Sequence, residues 1–163
     1  MTLSLATINV NGLRDKKKRD LVFNWLVAKK LDIICIKEIH STKDDLIRWQ
    51  NEWKNCGGGN SSFNCGTSNS RNVGILLSKK LKENVEFSSQ DNYIHVYNSG
   101  RILRSTLQIN DSTFYISNIY APNNGRERKY FLMQLTIHCS NIRTIQIKNS
   151  FILGDFSCAI KKN

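Results

Sequence analysis

Phe151-Ile152-Leu153-Gly154-Asp155-Phe156-Ser157 is an apolar run that ends in a carboxylate. Its length and composition read as a buried strand. Gly154 lets the backbone turn tightly, so Asp155 is expected to project from the strand end, where open α/β sheets place their chemistry. Working outward, three earlier stretches have the same form. Thr7-Ile8-Asn9-Val10-Asn11-Gly12 ends a strand in two amides. Asp32-Ile33-Ile34-Cys35-Ile36-Lys37-Glu38 ends one in a glutamate, and Ser117-Asn118-Ile119-Tyr120-Ala121-Pro122-Asn123 ends one in a tyrosine and an asparagine.

Between these strands, residues 16–30 read as a helix whose apolar stripe is Leu21, Val22, Trp25 and Leu26. Lys16, Lys17, Lys18 and Arg19 open it, as a solvated face or as contacts to a phosphate backbone. Residues 42–54 read as a second helix, with Thr42 as N-cap and Leu46, Trp49 and Trp53 on one side. Residues 55–71, rich in Gly, Asn and Ser, read as a loop or irregular hairpin. Strands follow at 72–78, 83–89, 92–98, 102–109 and 112–119, with turn signals at Asn98-Ser99-Gly100 and Asn110-Asp111-Ser112. A helix is expected over 126–140 and a last strand over 150–154. The order is βαβα, a β meander, then αβ, which predicts a single mixed α/β sandwich over residues 1–163.

The formal net charge of +11 favours a polyanionic partner, nucleic acid before an anionic membrane. Five cysteines include no CxxC pair, so reduced thiols are expected rather than a zinc site or disulfide framework. That points to an intracellular setting, cytoplasm or nucleus. The first residues enter a strand pattern without an export signal, and no apolar run is long enough to span a bilayer.

Asn, Glu, Tyr and Asp converging at strand ends suit a hard divalent cation that handles phosphate. Such a cation takes oxygen ligands, often one or two carboxylates, and leaves positions for water and substrate. Glu38 suits the carboxylate role with Asn9 beside it, Asp155 the orientation of an attacking water, and Tyr120 proton donation to a phosphate oxygen. Asn11 and Asn123 offer neutral donors and acceptors at the same edge. Taken singly, each of these residues also fits a turn former or helix cap.

These motifs resemble the endonuclease/exonuclease/phosphatase superfamily. Asn9-Val10-Asn11-Gly12-Leu13-Arg14 and Leu31 to His40 look like its opening, whose second motif is close to LDIICLQETH. Asn72 to Lys80 looks like its next core strand, and Asn118 to Asn123 and Ile152 to Ser157 like its NIYAPN and GDFN motifs. The similarity is greatest to the apurinic-type endonuclease domain of LINE-like (non-LTR) retrotransposons. The resemblance implies a four-layer α/β sandwich of the deoxyribonuclease-I type that cleaves DNA phosphodiesters with magnesium, or manganese in its place, and no small-molecule cofactor. It makes Asn9 and Glu38 metal-side residues, Glu38, Tyr120 and Asp155 catalytic, and Asn11, Asn123, Ser157 and Arg126 substrate-binding.

The departures are specific. Ser157 replaces the asparagine of GDFN and has less reach. Lys37 replaces the usual glutamine and is expected on the opposite side of its strand from Glu38. The family continues past this point to an Asp-His pair that none of His40, His95 and His138 matches, so the sandwich is expected to be incomplete at its C-terminus. Two functions follow from the resemblance: a magnesium-dependent endonuclease, or a catalytically silent nucleic-acid-binding remnant of one. A phosphoinositide substrate is disfavoured by the basic chain and Arg126.

Overall fold

The computed structural model describes residues 2–66, 72–81, 85–88, 100–109, 112–140 and 148–158. The elements run β1 (Leu5–Asn9), α1 (Lys16–Ala28), β2 (Ile33–Lys37), α2 (Leu46–Asn55), β3 (Gly58–Asn64), β4 (Val73–Ser78), β5 (Val85–Ser88), β6 (Ile102–Ile109), β7 (Ser112–Tyr120), α3 (Gly125–Ser140) and β8 (Ser150–Asp155). They form two four-stranded sheets, β1-β2-β4-β3 and β5-β6-β7-β8. In each sheet one pair is parallel, β1 with β2 and β7 with β8. The expected strand over 92–98 lies outside the described residues.

Alternation on the central strands builds the layers. On β2, Ile34 and Ile36 face the helices and pack with Phe23, Leu26, Trp49 and Trp53. Ile33 and Cys35 face the other way, into a second cluster with Val73, Ile75 and Leu77 of β4, Leu103 and Leu107 of β6, and Ile116 and Tyr120 of β7. Ile119, Ala121, Phe131 and Leu135 seal α3 against the far side of the second sheet. The order α1/α2, sheet, sheet, α3 is a four-layer α/β sandwich. Such burial on both faces explains why β2 and β4 read as unbroken apolar runs.

Four expectations change. β8, read as a buried strand, is an edge strand of the second sheet with Phe151 41% and Ile152 40% exposed. The buried face of α1 is Arg19, Phe23 and Leu26, while Leu21 is 73% and Trp25 49% exposed. Arg19 therefore belongs to neither a solvated nor a phosphate-facing stripe. Its guanidinium pairs with Glu52 on α2 at 2.5 and 2.9 Å, donates to the Leu13 carbonyl at 2.7 Å and lies 4.9 Å from the Trp49 ring centroid. The helix begins at Asp15, whose carboxylate accepts from the Lys18 N–H and offsets the basic first turn.

Residues 55–71, expected as a loop or an irregular hairpin, contribute strand β3, which pairs antiparallel with β4 across a register shift between Gly58 and Ser61. A Cβ at Gly58 would lie 2.2 Å from the Trp53 indole, so glycine here admits the α2 side chain against the sheet. The strands expected in one series after residue 72 divide between the sheets, since β4 pairs with β2 and β3 while β5, β6 and β7 pair with one another. Finally, the second helix starts one turn later than expected. A single 3-10 turn, Lys43–Asp45, precedes it, and the Asp45 carboxylate accepts from the Thr42 N–H and hydroxyl.

Candidate active site at the strand ends

β1 and β2 run parallel with Asn9 in register with Lys37, so Glu38 stands one residue past the edge of the first sheet. β7 and β8 run parallel with Tyr120 in register with Asp155 at the edge of the second. β8 lies close to β1 and β2, and the hydrogen bond between Tyr120 and Glu38 joins the two edges as one mouth. The sequence-predicted Asn9, Glu38, Tyr120 and Asp155 all stand there.

The Tyr120 hydroxyl, expected to face a phosphate, donates to Glu38 Oε1 at 2.8 Å, a bond between residues on different sheets. Arg101 fixes the same tyrosine by donating to its carbonyl at 3.2 Å and placing its guanidinium 5.5 Å from the ring centroid. Glu38 has φ +54, in the left-handed region. That turn ends the alternation of β2, and so Lys37 and Glu38 both reach the side that faces the second sheet, contrary to the sequence expectation. Lys37 donates to Thr7 Oγ1 at 3.0 Å.

Beneath the mouth, Asn118 is fully buried and donates to the Ile36 and Gly74 carbonyls at 2.9 and 2.8 Å. It is a side-chain clasp from the second sheet onto the backbone of the first. Asn72, also fully buried, donates to the Ser41 carbonyl at 3.0 Å and holds the chain after Glu38. Neither amide was singled out from sequence as part of the site. For Asn118 the available signal was a lone Asn inside a strand, a residue type unfavoured there, whereas Asn72 stands just before β4.

Asn11, at φ +47, donates its N–H to Asn9 Oδ1 at 2.9 Å, a two-residue Asx turn that fixes the Asn9 amide at the rim. Ser157 donates its N–H to Asp155 Oδ1 at 2.7 Å. Its hydroxyl lies 3.1 Å from the Ala121 carbonyl oxygen and 3.0 Å from Asn123 Oδ1. The serine thus still ties the aspartate to the loop after β7. Arg126 is exposed in the first turn of α3, whose N-terminus is capped by Asn124. No hydrogen bond joins the Arg126 side chain to the mouth among the described residues. His40, at φ +58, is half-buried beside this edge, and His95 lies outside the described residues.

Hard oxygen donors dominate the mouth. Glu38 keeps one carboxylate oxygen outside the Tyr120 bond, and Asn9 and Asp155 present further oxygens at the rim. Among the described residues no three His, Cys, Asp or Glu side chains cluster as metal ligands. Cys35 lies directly below, where burial pushes its thiol up to about 12 against the opposing charge of Lys37, so it stays a neutral packing group.

Residues 6–156 match the Endonuclease/Exonuclease/phosphatase family. The chain belongs to that family. It is 30% identical over 158 residues to the Transposon TX1 uncharacterized 149 kDa protein of Xenopus laevis, covering 96% of this chain and 11% of that one. Among solved structures it is similar to an AP endonuclease from Archaeoglobus fulgidus, with a TM-score of 0.70 at 21% identity over 95% of this chain and 57% of that one. It is also similar to D. rerio TDP2 complexed with single strand DNA product, with a TM-score of 0.60 at 14% identity over 97% and 62% of the two chains. The family member thus spans a small part of its transposon relative and somewhat over half of these two solved chains.

Proposed function

We propose that this chain is a DNA endonuclease domain of retrotransposon type that hydrolyses phosphodiesters with magnesium or manganese. The observation that carries the reading is the meeting of Glu38 and Asp155, from different sheets, at one mouth with Tyr120 bonded to the first of them. Glu38 and Asn9 would hold the cation. When bound, it polarises a phosphoryl oxygen and neutralises the charge that develops there. Tyr120 orients the Glu38 carboxylate. Asp155, held by the Ser157 N–H, accepts a proton from the attacking water and aims it at phosphorus. Asn11, Asn123, Ser157 and Arg126 line the route of the DNA strand, and the net charge of +11 draws it in.

Nicking of supercoiled plasmid tests this. Folded protein should nick with magnesium and not with EDTA, and Glu38→Ala should lower the rate by about a hundredfold or more. Nicking equal to that of Glu38→Ala would defeat the reading. Ser157 in the place of the family asparagine favours one alternative, a catalytically silent domain that binds nucleic acid. It predicts DNA binding that weakens steeply with salt and is indifferent to magnesium.

A further inference from the structure

We propose that Lys37 is a contact for a DNA phosphate, an inference that rests on the DNA reading above. Lys37 is 7% exposed, yet the acceptor it reaches, Thr7 Oγ1 at 3.0 Å, is neutral. Among the described residues no carboxylate lies within 4 Å of its ammonium, and Glu38 and Asp155, the two acids of the mouth, pair elsewhere or not at all with cations. An ammonium has three donors, so two remain after the Thr7 bond. A cation taken out of water without a counter-charge is costly, and a position that keeps one calls for an anion from outside.

The geometry points to where that anion arrives. Lys37 stands in register with Asn9 on one side and Val73 on the other, on the face of β2 that meets the second sheet. Its partner Thr7 and its neighbour Asn9 are both exposed on that face, so the ammonium sits just inside the rim. A phosphodiester carries one negative charge on two non-bridging oxygens. It matches one buried cation with two spare donors better than a carboxylate-rich or uncharged ligand does. A glutamine at this position, the residue the motif ordinarily carries, would keep a bond to Thr7 and lose the charge.

The test is fluorescence anisotropy of a labelled short duplex in EDTA over a series of salt concentrations, with wild type, Lys37→Gln, Lys37→Met and a surface control, Lys54→Gln. The Lys37 variants should bind about tenfold more weakly at low salt, and the slope of log affinity against log salt should fall by about one. Lys54→Gln should leave both unchanged. Thermal melts confirm that each variant is folded, and Lys37→Gln serves if Lys37→Met is not. Wild-type affinity and slope in a folded Lys37 variant would overturn this inference alone. So would tighter manganese binding by a folded Lys37 variant, read in a separate titration without EDTA, together with an unchanged slope, which would make Lys37 a repulsive charge toward the cation. A wild type that does not bind DNA would overturn the DNA reading and this one together.

Discussion

Tyr120 and Asn118 show what single residues do here. Each crosses from the second sheet to the first, one by a phenol and the other by an amide. Tyr120→Phe removes only the hydroxyl and leaves Glu38 free to rotate. It should lower nicking by about tenfold to a hundredfold while costing about 1 kcal/mol in denaturant unfolding. Asn118→Ala removes the second donor from two buried carbonyls that face each other in the β2–β4 ladder, and should cost about 1–2 kcal/mol in the same assay. Tyr120 was legible because a polar aromatic at a strand end is conspicuous. Asn118 was not, because its partners are backbone atoms 82 and 44 residues away, and nothing local marks them.

At the scale of elements, the strands that carry the site were legible and the helix faces were not. Continuous apolar runs gave β2, β4 and β8 to within a residue or two. In α1, the hydrophobic reading took Trp25 and Leu21 inward. The structure turns the helix so that Arg19 enters the core with Glu52 as its partner. A buried ion pair of this kind is invisible to periodicity, since one half lies on another helix. Arg19→Met should cost about 3–5 kcal/mol by leaving Glu52 and the Leu13 carbonyl unpaired, and calorimetry would read it as a lower Tm. β8 offers a sharper case. A Cβ at Gly154 would lie 2.0 Å from the Ile119 carbonyl oxygen on β7. Gly154→Ala should therefore push the strands apart at the position before Asp155. Soluble yield and activity should fall together, where a substitution at exposed Phe156 lowers neither.

The whole molecule is a sandwich whose first sheet supplies Asn9 and Glu38 and whose second supplies Tyr120 and Asp155. Layering of this kind followed from the order of elements, but the division of the middle strands between two sheets did not, because pairing partners are a non-local property. Acid should test the assembly. Asp32, just before β2, is opposed by burial, yet the Ser4 N–H and hydroxyl bonded to its carboxylate hold it below the ordinary range. Asp45 is shifted the same way by Thr42. A lowered folded-state value gives stability that is present above about pH 4 and is lost as pH falls through that lowered value. Wild type should exceed Ser4→Ala by about 1 kcal/mol at neutral pH, and the gap should close in unfolding experiments run at progressively more acid pH.

Among the described residues, five non-glycine residues adopt positive φ: Asn11, Lys30, Glu38, His40 and Ser157. Four of them stand at the mouth or directly beside it, and of these Glu38 and Ser157 tolerate that conformation less readily than Asn11 or His40. Glu38 and Ser157 are thus residues that their own backbone does not favour. Glu38→Gly should be as inactive as Glu38→Ala and more stable than it, by up to about 1 kcal/mol. Descent then has a direction. Sequences derived from this one and released from selection on the chemistry should drift to glycine or asparagine at 38 and 157 while the core under them is still intact, and a lineage can fall silent without ever passing through an unfolded ancestor.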